Sequence, residues 1–179
     1  MNALAINAKQ CHDGRPDWHF TMDLSLVKRI DAKDRQIVRE LQRDGRLTNQ
    51  DLAERVNLSP SPCLRRVRLL EEGGVIVGYS ADVDARACGF QITAFIRIAL
   101  QRHEREAVER FEKRIQDADE ILDCFLLTGE ADYLLRVVVA DLDEYEHFVR
   151  NRLHGIPGIG SITTSLVYGT VKSSRVLPL

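Results

Sequence analysis

The chain has 179 residues, 44% of them hydrophobic and 29% charged, which allows one large core or two small ones. Its formal net charge of −2 neither selects nor excludes a nucleic-acid partner. No apolar run reaches the roughly 18 residues needed to cross a bilayer, and no basic stretch followed by an apolar one opens the chain, so no membrane association and a cytoplasmic location are expected.

The four cysteines, Cys11, Cys63, Cys88 and Cys124, form no C-x-x-C pair, which suits reduced thiols and suggests neither a metal site nor a disulfide framework. Residues 1–29 show no helical or strand period and read as a flexible arm carrying Trp18 and Phe20; Met22, just before the first clear pattern, is an alternative start. A first helix is predicted from Asp31 as N-cap, with Asp34 three residues on and Ile37, Val38 and Leu41 along one face, stopped by a left-handed Gly45. A second helix starts at Thr48 and buries Leu52, Ala53 and Val56. After Asn57-Leu58, Ser59 caps a third, whose Pro60 and Pro62 fall in the first turn, where backbone N–H groups have no helical partner to lose. That helix is expected to bury Leu64, Val67 and Leu70 and to show Ser61, Arg65, Arg66 and Arg68 to solvent. Val75 to Ala81 reads as a short strand or β-wing, closing a unit over residues 30–80.

A linker over 81–90 follows. Ile92, Ala94, Ile96, Ile98 and Leu100 then alternate as in a half-buried strand, and Ala107, Val108, Phe111 and Ile115 recur at helical spacing. Ile121 to Thr128 and Tyr133 to Ala140 are strands joined by Gly129-Glu130-Ala131-Asp132. Leu142, Tyr145, Phe148, Val149 and Leu153 mark a second helix of this half, and Ile162 to Tyr168 a last strand. The fold class is therefore α+β, with an N-terminal winged helix-turn-helix and, over 91–179, a ferredoxin-like β-α-β-β-α-β domain. Such a sheet leaves one face uncovered, including Phe95, and a homodimer formed through the second domain is expected to cover it.

Charge is distributed unevenly. Residues 31–80 hold nine Lys/Arg against eight Asp/Glu, and residues 81–179 twelve against sixteen. The cluster Arg65, Arg66 and Arg68 sits on the predicted third helix with no acidic residue from Ser59 to Leu70. A recognition helix presents its first turn and one polar face to the major groove, so Ser59 and Ser61 permit close approach and the arginines can reach guanine edges or phosphates, with Thr48 and Asn49 at the start of the bracing helix as further contacts.

The run Leu58-Ser59-Pro60-Ser61-Pro62-Cys63-Leu64-Arg65-Arg66-Val67-Arg68, with Leu70-Glu71 and Gly74-Val75-Ile76, closely resembles the recognition helix and wing of the Lrp/AsnC family of transcription regulators. Thr128-Gly129-Glu130-Ala131-Asp132-Tyr133 and Leu153 to Val171 are similar to it as well, so that the resemblance spans about residues 26–175. It implies a sequence-specific regulator of double-stranded DNA, acting as a dimer or octamer, that responds to an amino acid or related metabolite bound between subunits and controls amino-acid metabolism. By the same resemblance, the effector pocket involves Gly129, Glu130, Asp132, Leu142, Ser165, Leu166 and Val167. A carboxylate for the ammonium, backbone N–H groups for the carboxylate and an apolar wall make chemical sense of that set. Two positions depart from the family: Glu130 stands where some members carry Asp, and Arg65 where the leucine-responsive type carries an acidic residue.

Two other readings use the same architecture. Sirohaem decarboxylases resemble this family, but the chain has no phosphate loop, no H-E-x-x-H and no nucleophile with a base, and His103, His147 and His154 lack metal-ligand spacing, so no enzyme, catalytic residue or cofactor is expected. An architectural protein that wraps DNA with little sequence preference is the third.

Overall fold

Helix α1 (Ala32–Arg43) begins in a reciprocal box: the Asp31 carboxylate accepts the Asp34 N–H at 2.8 Å and Asp34 accepts that of Asp31 at 3.2 Å. These contacts come from a computed structural model that describes residues 30–179; the expected arm at 1–29, with Trp18, Phe20 and Met22, lies outside the described residues. Helix α2 (Asn49–Arg55) is capped by the Thr48 hydroxyl, and α3 (Pro60–Glu72) begins at Ser59 with both prolines in its first turn. The three helices close over Ile37, Val38, Leu52, Ala53, Val56, Cys63 and Leu70.

Three expectations are corrected here. Leu64 is 38% exposed, and Cys63 takes the interior position. Gly45 is not left-handed: α1 ends at Asp44 in extended backbone, whose N–H returns to the Glu40 carbonyl. No strand forms over 75–81. The Val75 and Ile76 N–H groups instead both donate to the Leu70 carbonyl, closing the end of α3 after Gly74 turns through φ +70°. Their side chains lie against the three-helix core.

The described residues divide into two units, one of 30–82 with Lys172–Leu179 and one of Val83–Val171. The second unit carries β1 (Ile92–Leu100), α4 (Arg105–Gln116), β2 (Ile121–Leu126), β3 (Tyr133–Val139), α5 (Leu142–Phe148), which continues as one π-helical turn over Val149–Leu153, and β4 (Ile159–Leu166). Its antiparallel sheet has the order β2-β3-β1-β4, which is the expected split βαβ arrangement. Ala94, Ile96 and Ile98 pair across β1 and β3 with Val137, Leu135 and Tyr133 and share their buried face. Phe111 and Ile115 of α4 and Phe148 and Leu153 of α5 and its extension cover it. At about 25 cal/mol per Å² of apolar surface, this cluster is the main stabilising element of the unit. The opposite face carries Phe95, Phe125, Leu134 and Val138, together with the Arg136–Asp123 ion pair at 2.5 Å.

Candidate nucleic-acid interface and ligand site

The first candidate site is built by one helix. Ser61, Arg65 and Arg68 lie four and three residues apart on α3, a spacing that keeps side chains on one stripe. With Leu64, Leu69 and Glu72 they line a shallow open concavity along its exposed side. The face offers two arginine forks, a small hydroxyl and two leucines, so it can donate to guanine edges or phosphates and meet thymine methyls. Leu64 and Leu69 are members of this face that the sequence did not mark, although the four-and-three spacing from Ser61 through Glu72 would have isolated the stripe.

Three of the other predicted contacts, Arg66, Asn49 and Thr48, are used inside the unit. The Arg66 Nη1 lies 2.6 Å from Asp31 Oδ2 and 2.8 Å from Asp34 Oδ1, so Arg66 points to the start of α1 and does not join the stripe. Those carboxylates raise the Arg66 pKa, while the Asp34 backbone N–H first, and Arg66 second, hold Asp31 below the usual carboxylate range. Asn49 Nδ2 donates to the Pro60 carbonyl at 2.9 Å, fixing the start of α3 against α2. Its Oδ1 is buried with no partner among the described residues. The Thr48 hydroxyl both accepts from the Asp51 N–H and donates to its carboxylate, at 3.1 and 2.7 Å. Ser59 makes no side-chain capping bond, which leaves its hydroxyl available at the N-terminus of α3.

The predicted ligand residues fall into two groups. Gly129 to Asp132 form the β2–β3 turn, where φ at Gly129 is +122°, a conformation that side chains rarely adopt. Glu130 is exposed in it. Asp132 is not free: its Oδ2 accepts the Leu100 N–H at 2.7 Å and its Oδ1 meets His103 Nε2 at 2.8 Å. Burial acts to raise its pKa, but the Leu100 N–H and His103 outweigh that and leave it lowered. Leu142, at the first turn of α5, and Ser165, Leu166 and Val167, around the end of β4, form the other group; the Val167 N–H donates to Thr93 at the opposite end of β1 from Leu100. At about 3.4 Å per strand residue, the seven residue steps from Thr93 to Leu100 put roughly 24 Å between the two groups along the sheet. Within one chain they do not share a pocket.

A family model described as the Lrp/AsnC ligand binding domain matches residues 93–177, and one described as a winged helix-turn-helix DNA-binding domain matches 30–77. The Bkd operon transcriptional regulator of Pseudomonas aeruginosa is 42% identical over 150 residues, covering 84% of this chain and 98% of that protein. The leucine-responsive regulatory protein of Haemophilus influenzae is 40% identical over 158 residues, covering 88% and 95%. Among solved structures, a transcriptional regulator of Neisseria meningitidis in complex with L-Met superposes with a TM-score of 0.80 at 39% identity, covering 84% of this chain and 97% of that one. With a helix-turn-helix unit whose third helix exposes an arginine stripe and an antiparallel α+β unit matched by the ligand-domain model, the chain belongs to the Lrp/AsnC family of transcriptional regulators.

Proposed function

We propose that the chain reads specific double-stranded DNA through the Ser61, Arg65 and Arg68 face, and that an amino acid bound between copies of the second unit sets its affinity. The observation that carries the ligand half is the separation of the two groups of pocket residues. A site using Glu130 together with Leu142 and Leu166 needs the opposite ends of two sheets, which a second copy supplies. The neighbour solved with L-Met supports an amino acid as the ligand class. In this reading the exposed Glu130 carboxylate takes the ammonium group, Leu142 and Leu166 flank the side chain, and Asp132 positions the turn from behind.

The uncovered sheet face supports pairing of copies. Phe95 and Phe125 are 36% and 50% exposed there, and an apolar sheet face of this kind is stabilised when another subunit excludes water from it. A ligand bound at such an interface shifts the assembly toward whichever arrangement binds it better, and DNA affinity follows.

The test is fluorescence-anisotropy titration of DNA from upstream of the protein's own gene against scrambled DNA, with L-Met, L-Leu and the remaining amino acids added singly. Sequence-dependent binding that at least one amino acid alters is expected. Equal affinity for both DNAs points to an architectural binder, and specific binding that none of them changes removes the amino acid as effector.

A further inference from the structure

Cys63, Val67 and Leu70 pack α3 against its unit, and Arg66 braces it on α1. Leu64 and Leu69 do neither. They are 38% and 47% exposed, stand apart from the three-helix core, and open onto the same concavity as Ser61, Arg65 and Arg68. A single exposed leucine is ordinary, but these two lie on the helix face whose arginines have no ion-pair partner among the described residues. At 100° per residue the leucines stand about 140° apart around the helix axis, one on each flank of the arginine stripe. They also differ in depth along the helix. Leu64 is the fifth residue of α3 and Leu69 the tenth, about 7.5 Å farther on, and a recognition helix brings its N-terminal residues to the base edges.

We propose that Leu64 is a base-reading residue, which packs on the 5-methyl group of a thymine in the major groove. This rests on the DNA reading proposed above and narrows it to one side chain and one base. The methyl is the apolar group that sets a thymine apart in that groove, so an apolar side chain on the reading face has a specific partner there. Arg65 and Arg68 supply attraction to phosphates and guanine edges; Leu64 adds selection without charge. A protein surface is a poorer match for the same face. Covering Leu64 with another subunit would also take two guanidinium groups out of water, a cost that the phosphates of a duplex offset.

The test uses the full-length chain and a DNA it selects for itself. The parent is taken through rounds of enrichment on a pool of random duplexes, and the tightest duplex is remade with each thymine in turn replaced by deoxyuridine, which removes only the methyl group. At one thymine or more, the replacement is expected to weaken the parent about fourfold, the worth of one methyl kept from water. Leu64→Ala should bind the thymine and deoxyuridine duplexes alike. Leu64→Met, which stays apolar, should keep the difference, and so should Leu69→Ala. All three should hold the parent's salt slope, since no charge is lost, and its melting temperature, since both leucines are exposed. A parent indifferent to every methyl, or a Leu64→Ala protein as sensitive as the parent, would overturn the assignment. Leu64→Ala that loses assembly in sedimentation, with the parent indifferent to the methyls, would give this face to a second copy of the chain instead. A pool that yields no preferred sequence would overturn the DNA reading itself, and the role of Leu64 with it.

Discussion

The Arg66 guanidinium on α3 stands 2.6 Å from the Asp31 carboxylate that caps α1. One residue thereby joins α3, the helix proposed to read DNA, to the first turn of the unit, and the carboxylates that neutralise it also complete the α1 cap. The three arginines of the basic segment consequently divide into two that face outward and one that braces.

That division predicts different salt behaviour. Replacing Arg65 or Arg68 by alanine should weaken DNA binding, and removing one phosphate neutralisation should reduce the slope of log affinity against log salt by about one. Arg66→Ala should leave the slope at the parent value and instead lower the melting temperature, by roughly 2–5 °C, because it loosens α3 on α1. Anisotropy titrations at several salt concentrations and a thermal melt separate the two cases. A slope reduced by one in Arg66→Ala would place that side chain on DNA.

The Asp31 cap also sets a pH dependence. The folded pKa is lowered, so the stabilisation is present above the ordinary carboxylate value of 3.8 and is lost as pH falls through the folded value. Denaturant unfolding followed from pH 6 to pH 2.5 should show the helix-turn-helix unit weakening in acid. Asp31→Asn, which keeps a capping oxygen but cannot titrate, should flatten that part of the profile; an unchanged profile would assign the acid sensitivity elsewhere.

The helices, the strand alternation and the α1 box are legible in the sequence because each depends on neighbours within four residues. Leu52, Ala53 and Val56 bury as their spacing requires, and Ala94, Ile96 and Ile98 alternate inward. Cys63 and Leu64 show where such reasoning slips: one residue turns a helix by 100°, so the interior line is Cys63, Val67 and Leu70, and a line drawn from Leu64 drifts off it. Val75 to Tyr79 has strand-forming side chains, but a strand needs a partner edge, and the first two N–H groups are taken by Leu70. The partners of Arg66, Asp132 and Leu179 are hidden from local reasoning because they lie 35, 32 and 140 residues away in sequence.

Asp132 gives the third prediction. Its side chain holds the end of β1 through the Leu100 N–H and the following segment through His103, so the turn bearing Glu130 depends on it. Asp132→Ala should abolish the response of DNA binding to any amino acid while leaving effector-free affinity within about twofold, since the substitution lies outside the helix-turn-helix unit. Asp132→Asn, which retains an acceptor for Leu100, should keep a weakened response, and Glu130→Gln should lose the response without loosening the turn. An Asp132→Ala protein that responds at parental effector concentration would show that the turn takes no part in the ligand site.

The exposed sheet face supplies the last. Phe125 on β2 is 50% exposed beside Leu134 of β3, and Phe95, 36% exposed, extends the apolar surface onto β1. Placing a carboxylate there, as Phe125→Glu, leaves the folded monomer almost unaffected because the side chain already meets water, but in a dimer the charge would be buried without a partner at a cost of several kcal/mol. Sedimentation at micromolar concentration should therefore show the parent as a dimer or larger species and Phe125→Glu as a folded monomer. Because the two groups of proposed ligand residues lie at opposite ends of one sheet, that monomer should also fail to bind the effector by calorimetry. A monomer that binds it as tightly as the parent would locate the site within a single chain and remove the need for a partner.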